Sequence, residues 1–247
     1  MTAIDYKVES YDVQPNGKIK MSALMRVLQK IAGDDLDKYD MSYMKLYENN
    51  IAFVLTKITI RMYDDIKLFD NLIVETYPRP IKGAAFTRDF IVRKNGKVVV
   101  ESTSIWALIN LEQRKLLRPN ILETLGTIET TTENSFSLQF VRRFPDYDCM
   151  NQTDVRNVTY SDLDMNGHLN NTFYANYVFD LLPDAQNMPM NNLFFEVNFK
   201  NEARLGEHIS IRSTELTSTE IDFAAFKESD GKQCFTAYLN VNAESMG

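Results

Sequence analysis

The chain has 247 residues, of which 44% are hydrophobic and 25% are charged, and its formal net charge at pH 7 is −7. This composition is typical of a globular protein with one large domain or two domains of about 120 residues each. The acidic balance argues against a nucleic-acid-binding protein. The sequence has no apolar run of about eighteen residues, which argues against a membrane-spanning helix, and its start lacks the pattern of a signal or transit peptide, so we predict a cytoplasmic protein.

The first predicted elements are a polar loop and a helix. The loop has the sequence Asp12-Val-Gln-Pro-Asn-Gly-Lys-Ile19, and Ser22 is a residue type that caps a helix at such a place. The helix is predicted from apolar residues at the spacing of one buried face, namely Leu24, Val27, Leu28 and Ile31. The pattern loosens at Gly33-Asp34-Asp35, where we expect the helix to weaken.

Strands follow this helix. Residues 51–62 and 72–77 are rich in β-branched and apolar side chains, which predicts two strands. Residues 86–94 and 97–108 predict two more, joined by Asn95-Gly96, a pair that favours a type I′ hairpin turn. The first half is therefore predicted to be one helix followed by antiparallel strands.

The same order recurs in the second half. The loop Asp162-Leu-Asp-Met-Asn-Gly-His-Leu169 aligns with the first loop at an offset of 150 positions. A second apolar stripe begins after Asn170 and ends before Pro183; its members are Phe173, Tyr174, Tyr177, Val178, Leu181 and Leu182. Strands are predicted at residues 193–199, 208–213, 221–227 and 233–241, at an offset of 135. We interpret the chain as a duplicated α+β unit, although chance similarity between degenerate β patterns is an alternative.

The polar loop of the second half concentrates reactive side chains. Asp164, Asn166 and His168 stand immediately before a predicted helix, where free backbone N–H groups and the helix dipole favour developing negative charge. The first half has Gln14 and Lys18 at the positions of Asp164 and His168. This difference suggests that only one half is catalytic.

Three other interpretations of the loop remain open. Asp162-x-Asp164-x-Asn166-Gly167 opens like a calcium-binding EF-hand loop, but its twelfth residue is Phe173 instead of the bidentate glutamate. The stretch is also compatible with a capped Asn-Gly turn that carries no chemistry. His168 is one of two histidines and could be an ordinary hydrogen-bonded residue.

The run Asp164-Met-Asn166-Gly-His168-Leu-Asn170-Asn171, followed by Glu202 at the end of the next predicted strand, resembles the acyl-carrier-protein thioesterases of fatty-acid synthesis. The resemblance extends from about Tyr6 to Val241. It implies an α+β fold of two tandem hotdog domains, each with a long helix packed on an antiparallel sheet. We place the boundary near Glu133, which gives an acyl-pocket half at residues 1–132 and a catalytic half at residues 133–247.

The resemblance implies hydrolysis of fatty acyl thioesters carried on the phosphopantetheine arm of an acyl carrier protein, with no further cofactor. The catalytic residues would be Asp164, Asn166, His168 and Glu202. Glu202 would act as general base on water, with His168 positioning that water or passing a proton to the departing thiolate. Asp164 would orient His168 or Asn166, and Asn166 would stabilise the oxyanion together with backbone N–H groups after Asn170.

One departure from the family bears on the mechanism. The family often has a cysteine directly after the glutamate, whereas this chain has Ala203, so a thiol nucleophile at that position is excluded and water must attack. Cys149 and Cys234 stand outside any paired motif and are interpreted as reduced thiols without a catalytic role.

The residues leave several interpretations of partners and function open. Arg142-Arg143 or Arg114-Lys115-Arg118 could contact the acidic carrier protein or could be solvated surface clusters. Trp106 is interpreted as a core residue more than a pocket residue. Both a monomer and a homodimer are compatible with two fused domains. Alternative functions are a hotdog thioesterase that acts on acyl-coenzyme A and a non-catalytic acyl-binding module.

Overall fold

One antiparallel sheet of eleven strands runs through both halves of the described chain. The computed structural model describes residues 1–134, 136, 138, 147 and 150–242. The strands are β1 Thr2–Lys7, β2 Ile51–Met62, β3 Asn71–Pro78, β4 Ala85–Lys94, β5 Lys97–Asn110, β6 Lys115–Leu116, β7 Asn151–Asn157, β8 Leu193–Phe199, β9 His208–Glu215, β10 Glu220–Lys227 and β11 Gln233–Asn240.

The strand order shows the duplication directly. The first half contributes the order β1-β3-β4-β5-β2, and the second half continues it as β8-β11-β10-β9-β7. The short strand β6 pairs with β5 and lies off this path. The halves meet where β2 pairs with β8, with Ile58 opposite Val197. The equivalent central strands of the two copies thus pair with each other, which joins the copies into one sheet.

In the described part of the chain, three α-helices accompany the sheet: α1 Met21–Asp37, α2 Tyr43–Glu48 and α3 Phe173–Phe179. Helix α1 buries Leu24, Leu28 and Ile31, as the apolar stripe predicts. The prediction of Ser22 as its cap is wrong, because the helix already begins at Met21 and its N-cap position, Lys20, makes no side-chain capping bond. The helix also continues through Gly33 without a break.

Helix α3 is shorter than the expected long helix of the second half. It has seven residues and is followed by turns, so Leu181 and Leu182 lie outside it. Before its start, Asn170 Oδ1 accepts the backbone N–H of Thr172 at 3.0 Å and the hydroxyl of Thr172 at 2.9 Å, but Thr172, the N-cap residue, makes no side-chain capping bond. Among the described residues, a long helix is therefore present in the first half alone.

The strand predictions are largely confirmed. Strands β2 and β8 have the predicted bounds, and Asn95 and Gly96 both have positive φ, at 51° and 77°, as a type I′ turn requires. Strands β1 and β7 were not predicted. Each pairs with a single neighbour in the path at an outer edge of the sheet, where most side chains need not be apolar.

A continuous apolar core lies between the helices and the sheet and spans both halves. It includes Leu28 of α1, Val178 of α3 and Phe195 of β8, all fully buried. Among the described residues, no helix combines the length and apolarity needed to cross a membrane.

Candidate active site

The polar loop of the second half is a tight hairpin closed by backbone hydrogen bonds. The N–H of Asp164 donates to the carbonyl of His168 at 2.8 Å, and the N–H of Gly167 donates to the carbonyl of Asp164 at 3.0 Å. Gly167 has a φ of +75°, a conformation that glycine adopts readily and other residues rarely. The Asn-Gly sequence therefore sets the turn that brings residues 164 and 168 side by side.

The Asp164 carboxylate holds this loop through its backbone. Its Oδ1 accepts the N–H of Asn166 at 2.8 Å and the N–H of His168 at 3.2 Å, and its Oδ2 lies 3.5 Å from the side-chain nitrogen of Asn166. These contacts are with the main chain of His168 and not with its ring. Asp164 thus fixes where the loop presents its side chains.

The His168 ring faces the Glu202 carboxylate. His168 Nε2 lies 3.2 Å from Glu202 Oε2, and the two side chains are 19% and 37% exposed. Glu202 stands three residues beyond β8, and the backbone bridge between His168 and Arg204 holds its segment against the loop. The structure therefore brings together the two titratable residues that the sequence placed 34 positions apart.

The other carboxylate oxygen of Glu202 is bound by two arginines. Oε1 accepts hydrogen bonds from the guanidinium of Arg114 and from Arg204 Nη2, the latter at 3.1 Å. Partial burial raises the pKa of Glu202, but the hydrogen bond from Arg114, the charge of His168 and the hydrogen bond from Arg204 lower it by more. The pKa of Glu202 is therefore below its ordinary value, and the group is ionised at neutral pH.

Asn166 and the backbone beside it offer hydrogen-bond donors. The Tyr43 hydroxyl, from α2 of the first half, donates to Asn166 Oδ1 at 3.0 Å, and the amide nitrogen of Asn166 donates to Asp164 Oδ2 at 3.5 Å. That nitrogen carries two N–H groups, so one of them remains to donate to a ligand. The N–H groups of Thr172 and Phe173 are both bound to Asn170. Within the described part of the chain, the N–H of Asn171 has no such partner, so it is the available donor after Asn170.

A cavity of about 550 Å³ opens beside these residues and extends into the first half. At its second-half end it is lined by Asp164, Asn166, His168 and Glu202. Most of its lining residues belong to the first half, among them residues of α1, α2 and β2, with Phe53 and Leu55 on the strand side. A cavity of this size suits a small-molecule ligand with a long apolar part.

Gly33 of α1 marks the helical side of this wall. It lines the cavity, and a Cβ added there would meet no atom within 4 Å.

Two ion pairs also border the cavity. Arg79 and Arg88 line it, and their guanidinium groups pair with Asp89 at 2.6 Å and with Asp35 at 2.7 Å. The cavity is therefore apolar along β2 and bordered by two neutralised ion pairs further in.

The first half contains a structural counterpart of the His168–Glu202 pair. Lys18 Nζ lies 2.9 Å from Asp65 Oδ2, and the bridge between Lys18 and Lys67 repeats the one between His168 and Arg204. Asp65 is not among the residues predicted from the sequence. The similarity of Asp65-Ile-Lys-Leu-Phe-Asp70 to Glu202-Ala-Arg-Leu-Gly-Glu207 is the signal that would have revealed it.

The tryptophan, the cysteines and the basic clusters singled out from the sequence lie in different surroundings. Trp106 lines the cavity as well as packing against the core, so its interpretation as a core residue is incomplete. Cys234 is buried, and burial raises its pKa to about 12, which makes the thiolate scarce near neutral pH. Arg114 contacts Glu202, while Arg142, Arg143 and Cys149 lie outside the described residues.

A helix packed on an antiparallel sheet, present twice and joined through the central strands, is the double hotdog architecture. The sequence matches the family Acyl-ACP thioesterase N-terminal domain over residues 1–124 and the family Acyl-ACP thioesterase C-terminal domain over residues 147–242. The chain therefore belongs to the acyl-ACP thioesterase family. The division at residues 132 and 133 falls between the two matched ranges and stays a prediction.

Individual relatives are distant in sequence. Oleoyl-acyl carrier protein thioesterase 2 of Arabidopsis thaliana is 21% identical over 234 residues, which cover 87% of this chain and 63% of the relative. Dodecanoyl-[acyl-carrier-protein] hydrolase of Umbellularia californica is 21% identical over 196 residues, which cover 73% and 50%. The chain thus spans about half to two thirds of the length of these curated relatives.

Solved structures confirm the fold. An acyl-ACP thioesterase from Bacteroides thetaiotaomicron superposes with a TM-score of 0.81 at 22% identity, covering 97% of this chain and 96% of the other. The 12:0-ACP thioesterase of Umbellularia californica superposes with a TM-score of 0.74 at 16% identity, covering 97% and 96%. The α+β double hotdog fold expected from the sequence is therefore confirmed.

Proposed function

We propose that the protein hydrolyses fatty acyl thioesters of acyl carrier protein to free fatty acid and carrier protein. The observation that carries this proposal is the His168–Glu202 pair, at 3.2 Å, at the mouth of a cavity that continues into the first half. The family match and the names of the relatives support the same carrier and reaction. A cytoplasmic location stays a prediction.

The acyl chain would occupy the first-half cavity, and its thioester carbonyl would lie beside the polar loop. The pantetheine arm would then leave through the cavity mouth towards a carrier protein on the surface. Phe53, Leu55 and the open face of Gly33 would contact the methylene groups of the chain. Burial of that apolar surface would provide most of the binding free energy.

Hydrolysis would proceed by attack of water on the carbonyl carbon. Glu202 would take the proton of the attacking water through the oxygen that faces His168, and the new C–O bond would form a tetrahedral oxyanion. The Asn166 side-chain amide and the Asn171 N–H would donate to that oxyanion. On collapse the C–S bond breaks, and the proton taken up by Glu202 would pass through His168 to the departing thiolate, which returns both side chains to their starting protonation states. Water is the only co-reactant, so the reaction as proposed needs no cofactor.

The test is a hydrolysis panel with acyl carrier proteins that differ in chain length, run beside the matching acyl-coenzyme A esters. We expect turnover on the carrier-protein substrates, with a clear optimum in chain length. Equal efficiency with acyl-coenzyme A would favour the coenzyme A thioesterase. Binding of acyl carrier protein without release of fatty acid would favour a non-catalytic acyl-binding module and would contradict the proposal.

A further inference from the structure

The two oxygens of the Glu202 carboxylate have different partners. Oε2 faces the ring of His168, while Oε1 accepts from the guanidinium groups of Arg114 and Arg204. Charge-assisted hydrogen bonds from arginine are strong and directional. Contacts on one oxygen therefore fix the direction in which the other oxygen points.

Arg114 reaches Glu202 from the first half of the chain. It stands at the end of the turn between β5 and β6, next to the pairing of Asn110 with Lys115. Asn110 Oδ1 accepts the N–H of Gln113 at 2.7 Å, which stabilises this turn. Arg114 itself has a φ of +52°, a left-handed conformation that is uncommon for residues other than glycine. The turn thus has an energetically unfavourable backbone conformation at Arg114, and the side chain of Arg114 reaches the second half of the chain from it.

We propose that Arg114 is a positioning residue for the hydrolysis, holding Glu202 in the orientation in which its free oxygen meets His168 and the attacking water. Arg204 assists from the segment of Glu202 itself. The inference rests on the proposed function, since it assumes that the His168–Glu202 pair activates water. It also makes the active site composite, because the first half supplies Arg114 and Tyr43 to a loop of the second half.

This role differs from both sequence-based interpretations of Arg114-Lys115-Arg118, which are docking of an acidic carrier protein and a solvated surface cluster. A docking arginine would affect KM for carrier-protein substrates and would leave small thioesters unaffected. A positioning arginine would affect kcat for every thioester, whatever its carrier. The two roles can therefore be separated by the choice of substrate.

The experiment compares Arg114→Gln, Arg114→Lys and Arg118→Gln with the wild type. Substrates are an acyl carrier protein and the N-acetylcysteamine thioester of the same acyl group. Arg118 is an exposed arginine shortly after β6 and serves as the matched control. We expect Arg114→Gln to lower kcat about 10- to 100-fold on both substrates, because a misplacement of about 1 Å can cost about 10²-fold in rate. Arg114→Lys should restore part of this loss, and Arg118→Gln should resemble the wild type in kcat.

The pH profile provides a second readout. The charged or titratable groups that face Glu202 are Arg114, Arg204, His168 and Tyr174. Arg114 lowers the pKa of Glu202, so its removal should raise that pKa. If the reaction needs ionised Glu202, the acid limb of the kcat profile of Arg114→Gln should move to higher pH.

Three results would overturn the inference. Normal kcat of Arg114→Gln on the N-acetylcysteamine thioester, with a raised KM for the carrier-protein substrate alone, would identify Arg114 as a docking residue. Lower kcat with an unmoved acid limb and no rescue by lysine would indicate a general structural role. A wild-type protein that hydrolyses neither substrate would contradict the proposed function itself, whereas the first two results would leave that function intact.

Discussion

Glu202→Gln is the most direct test of the proposed site, because it removes the charge of the carboxylate and keeps its size. In the wild type, Oε1 faces two arginines and Oε2 faces His168. Arginine can only donate hydrogen bonds, so the variant amide will turn its carbonyl oxygen to Arg114 and Arg204. The NH₂ group will then face His168 and the water, where no acceptor for the proton of water remains.

The expected loss follows from the role of a general base. Positioned acid–base groups contribute about 10²–10⁴-fold to rate, so we expect kcat to fall by at least about a hundredfold. That loss corresponds to about 2.7 kcal/mol of transition-state stabilisation. His168→Ala should cost a similar factor, and the double variant should cost little more than the worse single variant, since groups that act as one unit are not additive.

The assay is kcat with the preferred acyl carrier protein at saturating concentration, together with a thermal melt of each variant. Folding should be retained, because both side chains lie at the mouth of the cavity and are partly exposed. Near-normal turnover in both single variants would refute the assignment of the site. Loss of turnover accompanied by unfolding would show that the pair is needed for the structure of the loop.

Three further predictions concern residues around the site. Lys18→Ala removes the ion pair with Asp65, so it should lower the free energy of unfolding by about 1 kcal/mol and leave thioester hydrolysis nearly unchanged. A large loss of kcat would contradict a purely structural role for this pair. Gly33→Leu projects a side chain into open space in the cavity, so the preferred acyl chain should become shorter. The substitution also improves helix propensity by about 1 kcal/mol, so Tm should be equal or higher. An unchanged chain-length preference would show that the acyl chain binds elsewhere. Replacement of Cys149 and Cys234 by alanine should leave activity intact, and loss of activity would revive a thiol mechanism.

The sequence predicted the fold well where the pattern was carried by buried side chains. Strand β2 and strand β8 lie at the centre of the sheet, and their long β-rich runs gave the correct bounds. Strand β7, with the sequence Asn-Gln-Thr-Asp-Val-Arg-Asn, pairs with β9 alone at an edge and shows little apolar signal. Helix α3 was predicted too long, because Leu181 and Leu182 continue its apolar stripe in turns that also pack against the core.

The site was predicted only in part, for a physical reason. Residues in one turn, such as Asp164 and His168, can be recognised together because the turn itself makes them neighbours. The contact of Arg114 with Glu202 and that of Tyr43 with the loop depend on how the two halves associate, and no local pattern encodes that association. The roles of Asp164, Asn166, His168 and Glu202 stay predictions until the variants are measured.

The segments after the two helices contact the two halves differently. After α1, helix α2 contacts the second-half loop through the hydrogen bond from Tyr43 to Asn166. After α3, the equivalent segment binds Asp65, the partner of Lys18: the N–H groups of Met190 and Asn191 both donate to Asp65 Oδ1 at 3.1 Å.

In the first half, Lys18 binds the other oxygen of Asp65, so both oxygens of this carboxylate are committed to permanent donors. A carboxylate held in this way cannot accept a proton from water without losing those bonds. Glu202 also has permanent donors on one oxygen, where Arg114 and Arg204 bind Oε1, but its other oxygen faces a histidine at the place where Asp65 faces Lys18. The same duplicated geometry thus gives an ion pair in one half and the proposed acid–base pair in the other, and the difference is which donor faces the second carboxylate oxygen.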